Sequence, residues 1–196
     1  MIEGLDGSGS TTQVNLVADF LRLNGLKSFA TKEPTDNVIG GLIRGTLTGV
    51  YKLPPFSLQL LFSADRGHHL QRVIKPKLKE GVIVISDRYM WSTVAYGSVD
   101  IDRNWLLEMQ KYFLKPDMTI FLKVEPKKCV SRIARNRYDM ELFEKEDKLK
   151  KVWQTYLWLA KKFPKDIKII DGEGTEKEVF ERAMGYIRPL VLKGRI

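Results

Sequence analysis

The stretch Gly4-Leu5-Asp6-Gly7-Ser8-Gly9-Ser10-Thr11-Thr12 has the spacing of a phosphate-wrapping loop, G-x-x-x-x-G-K-[ST], except at one position. Gly4, Gly7 and Gly9 free the backbone to turn its N–H groups inward. Thr11 opens a helix whose positive end faces an anion, and its hydroxyl can serve Mg2+. Ser10 stands where the lysine belongs. The same letters would also suit a plain Gly-Ser turn capping a helix, so the loop needs support from elsewhere in the chain.

That support comes from the ends of other apolar runs. "VIVIS" (82–86) runs into Asp87-Arg88-Tyr89. A carboxylate ending a buried strand suits Mg2+ or a water bound to it, and a guanidinium beside it can hold a phosphate bidentately. A surface Asp-Arg pair opening a helix is the bland alternative. In "LQLLFSADRGHH" Phe62 and Arg66 lie four apart and share a helical face, so a ring and a guanidinium could stack on and hydrogen-bond a base. Phe62 could equally be plain core. His68 and His69 are adjacent, project to different sides, and read as surface residues. Lys127, Lys128, Arg132, Arg135 and Arg137 crowd one short span. They form either a solvated helix end or a mobile lid that brings arginines to a transferring phosphoryl group.

Residues of this kind need a scaffold that gathers loops at one edge. The β-branched runs at 27–31, 82–86, 118–124 and 167–170 alternate with stretches of helical period. Alternation of this sort predicts an α/β chain with a parallel sheet between helical layers, and ligands at the carboxyl ends of the strands. Only Met1, Ile2 and Glu3 precede Gly4, so the first strand is short and its start could lie upstream. The 196 residues fit a single domain, with no internal repeat, long linker or low-complexity tract. Pro54-Pro55 reads as a helix start. One cysteine, Cys129, rules out an intrachain disulfide and is compatible with a reducing, cytoplasmic setting. No apolar run reaches membrane-spanning length. The net charge of +9 suits a solvated basic surface or an acidic partner such as nucleotide phosphates. Basic residues are not interleaved with aromatics in any compact run, which argues against nucleic acid.

Taken in order, "IEGLDGSGSTTQ", "KEP" (32–34), "LLFSADR", "DRYMWSTVAY", "KPD", "FEKED…YLWLA" and "IDG" resemble thymidylate kinase over nearly the whole chain. The resemblance implies a three-layer kinase fold with a five-stranded parallel sheet and one domain over 1–196 with a small lid near 132–146. It also implies a homodimer that moves the γ-phosphoryl group of ATP to dTMP with Mg2+. On that likeness Gly4, Gly7, Ser8, Gly9, Ser10, Thr11 and Thr12 would bind ATP, with Arg132. Phe62 would stack on thymine, and Arg66 would donate to its 4-carbonyl. Arg88 would hold the dTMP phosphate, and Tyr96 would crowd the sugar 2′ position. Asp6, Glu33, Ser92, Thr93 and Glu144 would also face the acceptor, and Thr11 and Asp87 would serve Mg2+. The catalytic set would be Asp6 and Arg88 with Arg135 and Arg137 closing over the nucleotide, while Arg132 steadies the helix.

Three departures bear on chemistry. Ser10 replaces the lysine, Gly97 replaces the glutamine common after Ala-Tyr, and Glu141-Leu142 or Asp139-Met140 stands where the lid commonly reads Asp-Arg. Gly7 occupies the place where one class of these kinases carries a loop arginine, and in the other class lid arginines supply the charge. An active dTMP kinase is therefore the leading expectation. A nucleotide-binding paralogue with impaired catalysis and a monophosphate kinase of broader range are the alternatives.

Overall fold

Five short apolar strands set the architecture: β1 (Ile2–Gly4), β2 (Ser28–Lys32), β3 (Ile83–Asp87), β4 (Thr119–Lys123) and β5 (Ile167–Asp171). In the computed structural model they form one parallel sheet in the order β2-β3-β1-β4-β5, each strand after the first within one residue of the run that announced it. Residues 1–136, 142, 143 and 145–192 are described. The α/β expectation with five parallel strands is met.

Alternating side chains feed two cores, one on each face. Ile2, Ile120 and Leu122 join α1 (Ser10–Leu23) and α9 (Glu176–Leu192) on one side. Phe121 faces the other side, where α3 (Pro55–His69), α5 (Met90–Gly97), α6 (Arg103–Gln110) and α8 (Glu146–Lys162) pack. The helix carrying Phe62 and Arg66 is α3, followed by a π-helical turn, Leu70–Ile74, and then α4 (Lys75–Lys79). As expected, α3 opens at Pro55. Between β2 and α3 lies α2 (Val38–Leu47), capped by Asn37, whose side chain accepts from the Gly40 N–H at 3.0 Å. The last helix to matter for the site, α7 (Pro126–Asn136), follows β4.

β1 is at the centre of the sheet with three residues. The Met1 ammonium donates to the Met118 carbonyl at 2.7 Å, and burial lowers its pKa from 8.0 to about 6. At the opposite, carboxyl end, the loops after β1, β2, β3 and β5 converge, which is where a parallel sheet presents its ligand site.

Candidate active site

The loop after β1 turns on two left-handed glycines, Gly7 at φ 79° and Gly9 at φ 90°. At Gly7 a side chain is excluded by more than backbone preference. A Cβ on Gly7 would come within 2.6 Å of the Cys129 carbonyl, because α7 lies directly against the loop. A Cβ on Gly4 would run into Ser8 Oγ. Gly7 is therefore closed to a loop arginine, and α7 is close enough to bring a cation to the loop in its place. Arg132 does so: its Nη1 donates to the carbonyls of Gly7 and Ser8 at 3.3 and 3.4 Å. Arg132 was expected both to bind ATP and to steady the helix; its guanidinium lies on the loop. Arg135, one turn further along α7, is exposed. Arg137 and Glu144 lie outside the described residues, as do Asp139, Met140 and Glu141 of the lid signature.

Ser10 is the first residue of α1 and is buried, with Thr11 and Thr12 after it. Thr11 Oγ1 donates to Asp87 Oδ2 at 2.5 Å, joining the loop to the end of β3. Asp87 Oδ1 is buried with no partner. A hydroxyl and a carboxylate with an unused oxygen are hard oxygen donors of the kind Mg2+ takes, and Mg2+ completes its shell with water and phosphate oxygens. Among the described residues no cluster of three or more His, Cys, Asp or Glu could hold a metal unaided. A thin donor set is the usual one where phosphates supply the remaining ligands.

Arg88 adopts φ 65°, the one non-glycine residue with positive φ among those described. Such a conformation costs on the order of 1–3 kcal/mol and persists only where surrounding contacts enforce it. Its N–H donates to Ile2 O at 3.0 Å and its carbonyl accepts from Ser86 Oγ at 2.7 Å. The guanidinium donates to Asp6 Oδ1 at 2.7 Å, to Gly4 O at 2.9 Å and to Ser92 Oγ at 3.3 Å. Burial opposes the Arg88 charge, but Tyr96 and Asp6 outweigh it and hold the pKa above its ordinary value. Tyr96, whose hydroxyl is pushed well above the usual phenol range by burial, donates to Asp6 Oδ2 at 2.9 Å. It also accepts from the Asp6 N–H at 3.0 Å. Asp6, Arg88 and Tyr96 thus lock the phosphate loop to α5.

Arg66 is 1% exposed and anchored by Nε and Nη2 to Glu33 Oε2 at 2.9 and 2.8 Å. Nη1 donates to Gln110 Oε1 at 2.6 Å and Nη2 to Thr93 Oγ1 at 3.0 Å. His69 corrects the surface reading. It is 2% exposed, bonded through Nδ1 to Glu33 Oε1 at 3.0 Å and through Nε2 to Thr31 Oγ1 at 2.7 Å. His68 is exposed, as expected. Glu33 engages Arg66 and His69 with both oxygens, so it acts on any ligand largely through Arg66.

These side chains enclose a cavity of about 230 Å3 lined by Asp6, Phe62, Arg66, Arg88, Thr93 and Tyr96. Arg44 and Gln59 also line it and were not singled out in the sequence. Arg44 sits alone on α2 and left no signal. Gln59 lies on the helical stripe of Phe62 and Arg66, so its period could have found it. Its amide oxygen is buried with no partner, and it fills the space over Gly97, where a Cβ would approach Gln59 Cδ to 3.0 Å. A glutamine amide is thus present beside α5 although position 97 lacks one. A second cavity, of about 420 Å3, lies across the loop between Gly7, Gly9, Thr12, Arg132 and the Gly172–Glu176 turn after β5.

Two cavities meeting at a phosphate loop, one braced for an anion and a flat ring, fit a kinase with a small acceptor. The thymidylate kinase family model matches residues 2–183. The chain belongs to the thymidylate kinase family. It is 33% identical to the probable thymidylate kinase of Thermococcus gammatolerans over 204 residues, covering 99% of this chain and 97% of the relative. It is 38% identical to that of Sulfolobus acidocaldarius over 190 residues, 94% and 93% of the two chains. To that of Caldivirga maquilingensis it is 42% identical over 163 residues, 82% and 79%. As a thymidylate kinase family member it is an enzyme that binds nucleotides and transfers phosphoryl groups. Among the described residues no helix is long and apolar enough to cross a membrane.

Proposed function

We propose that this chain, as a single domain with its lid near 132–146, transfers the γ-phosphoryl group of ATP to dTMP, and that Arg132 supplies the charge missing at Ser10. The carrying observation is the Asp6–Arg88–Tyr96 lock between the phosphate loop and the smaller cavity, which holds the Arg88 guanidinium beside the loop. In this reading Arg88 holds the acceptor phosphate, and one of its oxygens attacks the γ-phosphorus as the bond to the ADP oxygen breaks. Phe62 and Arg66 receive the base, and the Tyr96 ring closes the space at the sugar. Thr11 and Asp87 would hold Mg2+, which neutralises the charge on the β- and γ-phosphates. Charge builds on those oxygens in the transition state, so a guanidinium resting on the loop is worth more there than in the ground state. Arg135 and Arg137 remain partners for Arg132 in closing the lid.

The impaired-paralogue reading rests on Ser10, a neutral hydroxyl in the lysine position. Arg132 on the loop carbonyls supports the active reading against it. Leu42 of α2 and Phe56 and Leu60 of α3 are exposed apolar side chains on two helices that pack together, which suits a homodimer. A steady-state assay with ATP, Mg2+ and dTMP tests the proposal: dTDP and ADP should form in equal amounts. Tight binding of both nucleotides with no ADP formed would favour the impaired paralogue. Efficient turnover of dCMP would favour the broader kinase.

A further inference from the structure

Glu3 is a fully buried carboxylate in the central strand that the phosphoryl-transfer reading leaves without a part. Its neighbours Ile2 and Gly4 are a core residue and the first loop glycine, and alternation turns the Glu3 side chain to the α5 and α8 face. Burying an ion there is unfavourable unless donors surround it. Four do. Oε1 accepts from the N–H groups of Tyr89 and Ser92 at 3.0 and 3.2 Å. Oε2 accepts from Ser92 Oγ at 2.5 Å and from Tyr156 Oη at 2.8 Å. Burial pushes the Glu3 carboxyl up, and Ser92, Arg88 and Tyr156 pull it back toward the charged form.

The two N–H groups belong to the first turn of α5, where free donors and the helix dipole favour an anion. Both come just after the strained residue: Tyr89 follows Arg88 directly, and Ser92 lies one turn on. The Ser92 hydroxyl is shared. It donates its proton to Glu3, which leaves its lone pairs for Arg88 Nη1 at 3.3 Å. Glu3 therefore fixes both the backbone beside Arg88 and the acceptor that aims its guanidinium.

Resting on the dTMP kinase reading, we infer that Glu3 is a positioning residue for the acceptor phosphate: through the α5 N-terminus and the Ser92 hydroxyl it holds Arg88 in its left-handed, phosphate-facing conformation. Glu3→Gln keeps size and one acceptor oxygen but turns an N–H2 group toward Ser92 Oγ or toward the backbone donors, so either the hydroxyl reverses or the Tyr89 and Ser92 N–H groups lose their acceptor, and Arg88 loses part of its support. Direct titration of each nucleotide separates this part from a merely structural one. In E3Q the dTMP Kd should weaken about tenfold, the loss of one charge-assisted hydrogen bond, while the ATP Kd stays within about twofold. Tyr156→Phe removes a hydroxyl that contacts Glu3 at 2.8 Å and Ser92 Oγ at 2.9 Å but leaves all three α5 donors on Glu3 and the Ser92 contact to Arg88, and should cost dTMP binding clearly less than E3Q. Where E3Q does not fold, Ser92→Ala, which removes only the hydroxyl between Glu3 and Arg88, should weaken dTMP selectively. Unchanged dTMP binding in a folded E3Q, equal loss for ATP and dTMP, or a Y156F loss as large as that of E3Q each overturns the inference. A parent that binds no dTMP overturns the functional reading, and the inference with it.

Discussion

The two sides of the phosphate loop are built differently. On the acceptor side, Arg66 and Arg88 are set in place before any ligand arrives, held by Glu33, Gln110, Thr93, Asp6 and Ser92. On the donor side, the described lining is loop backbone, Thr12, the β5–α9 turn and a single guanidinium, Arg132, on two long hydrogen bonds. In the proposed reaction the contrast follows from what each side must do. A base and a phosphate are recognised by fixed donors, whose rigidity lowers the entropic cost of binding. A cation that matters mostly in the transition state can arrive on a helix beside the loop, provided it reaches the γ-phosphate when the reaction occurs.

The strongest way to break the rigid side is Arg66→Ala. It leaves Glu33 buried with one partner fewer, and removing one member of a buried pair costs about 3–5 kcal/mol. Denaturant unfolding should show a loss of that order, together with weak dTMP binding. A variant of near-parent stability would mean that Glu33 is not held as an anion by Arg66.

The next test falls on the donor side. Arg132→Ala should lower kcat about 10²–10³-fold, the usual loss for one preorganised donor, with little change in ATP Kd and little loss of stability. Ser10→Lys should then be nearly silent in the parent, where Arg132 already serves the loop, and should recover much of the rate in the R132A background. That non-additivity is the signature of two residues filling one role. If R132A is as fast as the parent and R135A is slow, the acting arginine is the exposed one.

At the sugar, UMP should be turned over less well than dUMP by on the order of 10²-fold, about what a packed pocket extracts from one added hydroxyl. Tyr96→Phe should keep that preference, since the ring remains. It should weaken the Asp6 contact by about 0.5–1.5 kcal/mol. Comparable turnover of UMP and dUMP would take the Tyr96 ring out of the sugar site.

The smallest effect concerns α7, where it abuts the loop. Burial pushes the Cys129 thiol from 9.0 up to about 12. The native thiol should thus stay protonated and unreactive toward disulfide reagents at pH 8, and label only on unfolding. The folded pKa lies above the unfolded one, so the contribution to stability is fully present below pH 9 and declines as pH rises from 9 toward 12. Fast labelling of the native protein would show that α7 leaves the loop readily.

Much of this molecule could be read from residue order. Apolar β-branched runs marked four of the five strands and period-3.6 stretches marked five of the helices, because burying apolar faces forces those patterns, while β1 was legible only from the loop that follows it. Gly4, Gly7 and Gly9, the Asp87-Arg88 step and the Phe62/Arg66 stripe were legible because turns, strand ends and helix faces each have local signatures. Partnerships were not. His69 looked like a surface neighbour of His68, yet one side of α3 is core and the other is not, and only packing says which. Nothing local marks Arg44, Gln59 and Gln110 as parts of one cavity, since α2, α3 and α6 meet only in the folded chain. Arg132 and Arg135 are equivalent letters three residues apart. The approach of α7 to Gly7, so close that the Cys129 carbonyl excludes a side chain there, decides which of them lies on the loop. Sequence thus determined the elements and the chemistry that their ends carry, through short-range sterics and hydrophobic period. Tertiary structure alone decided which charges are paired, because that depends on distances between elements far apart in the chain.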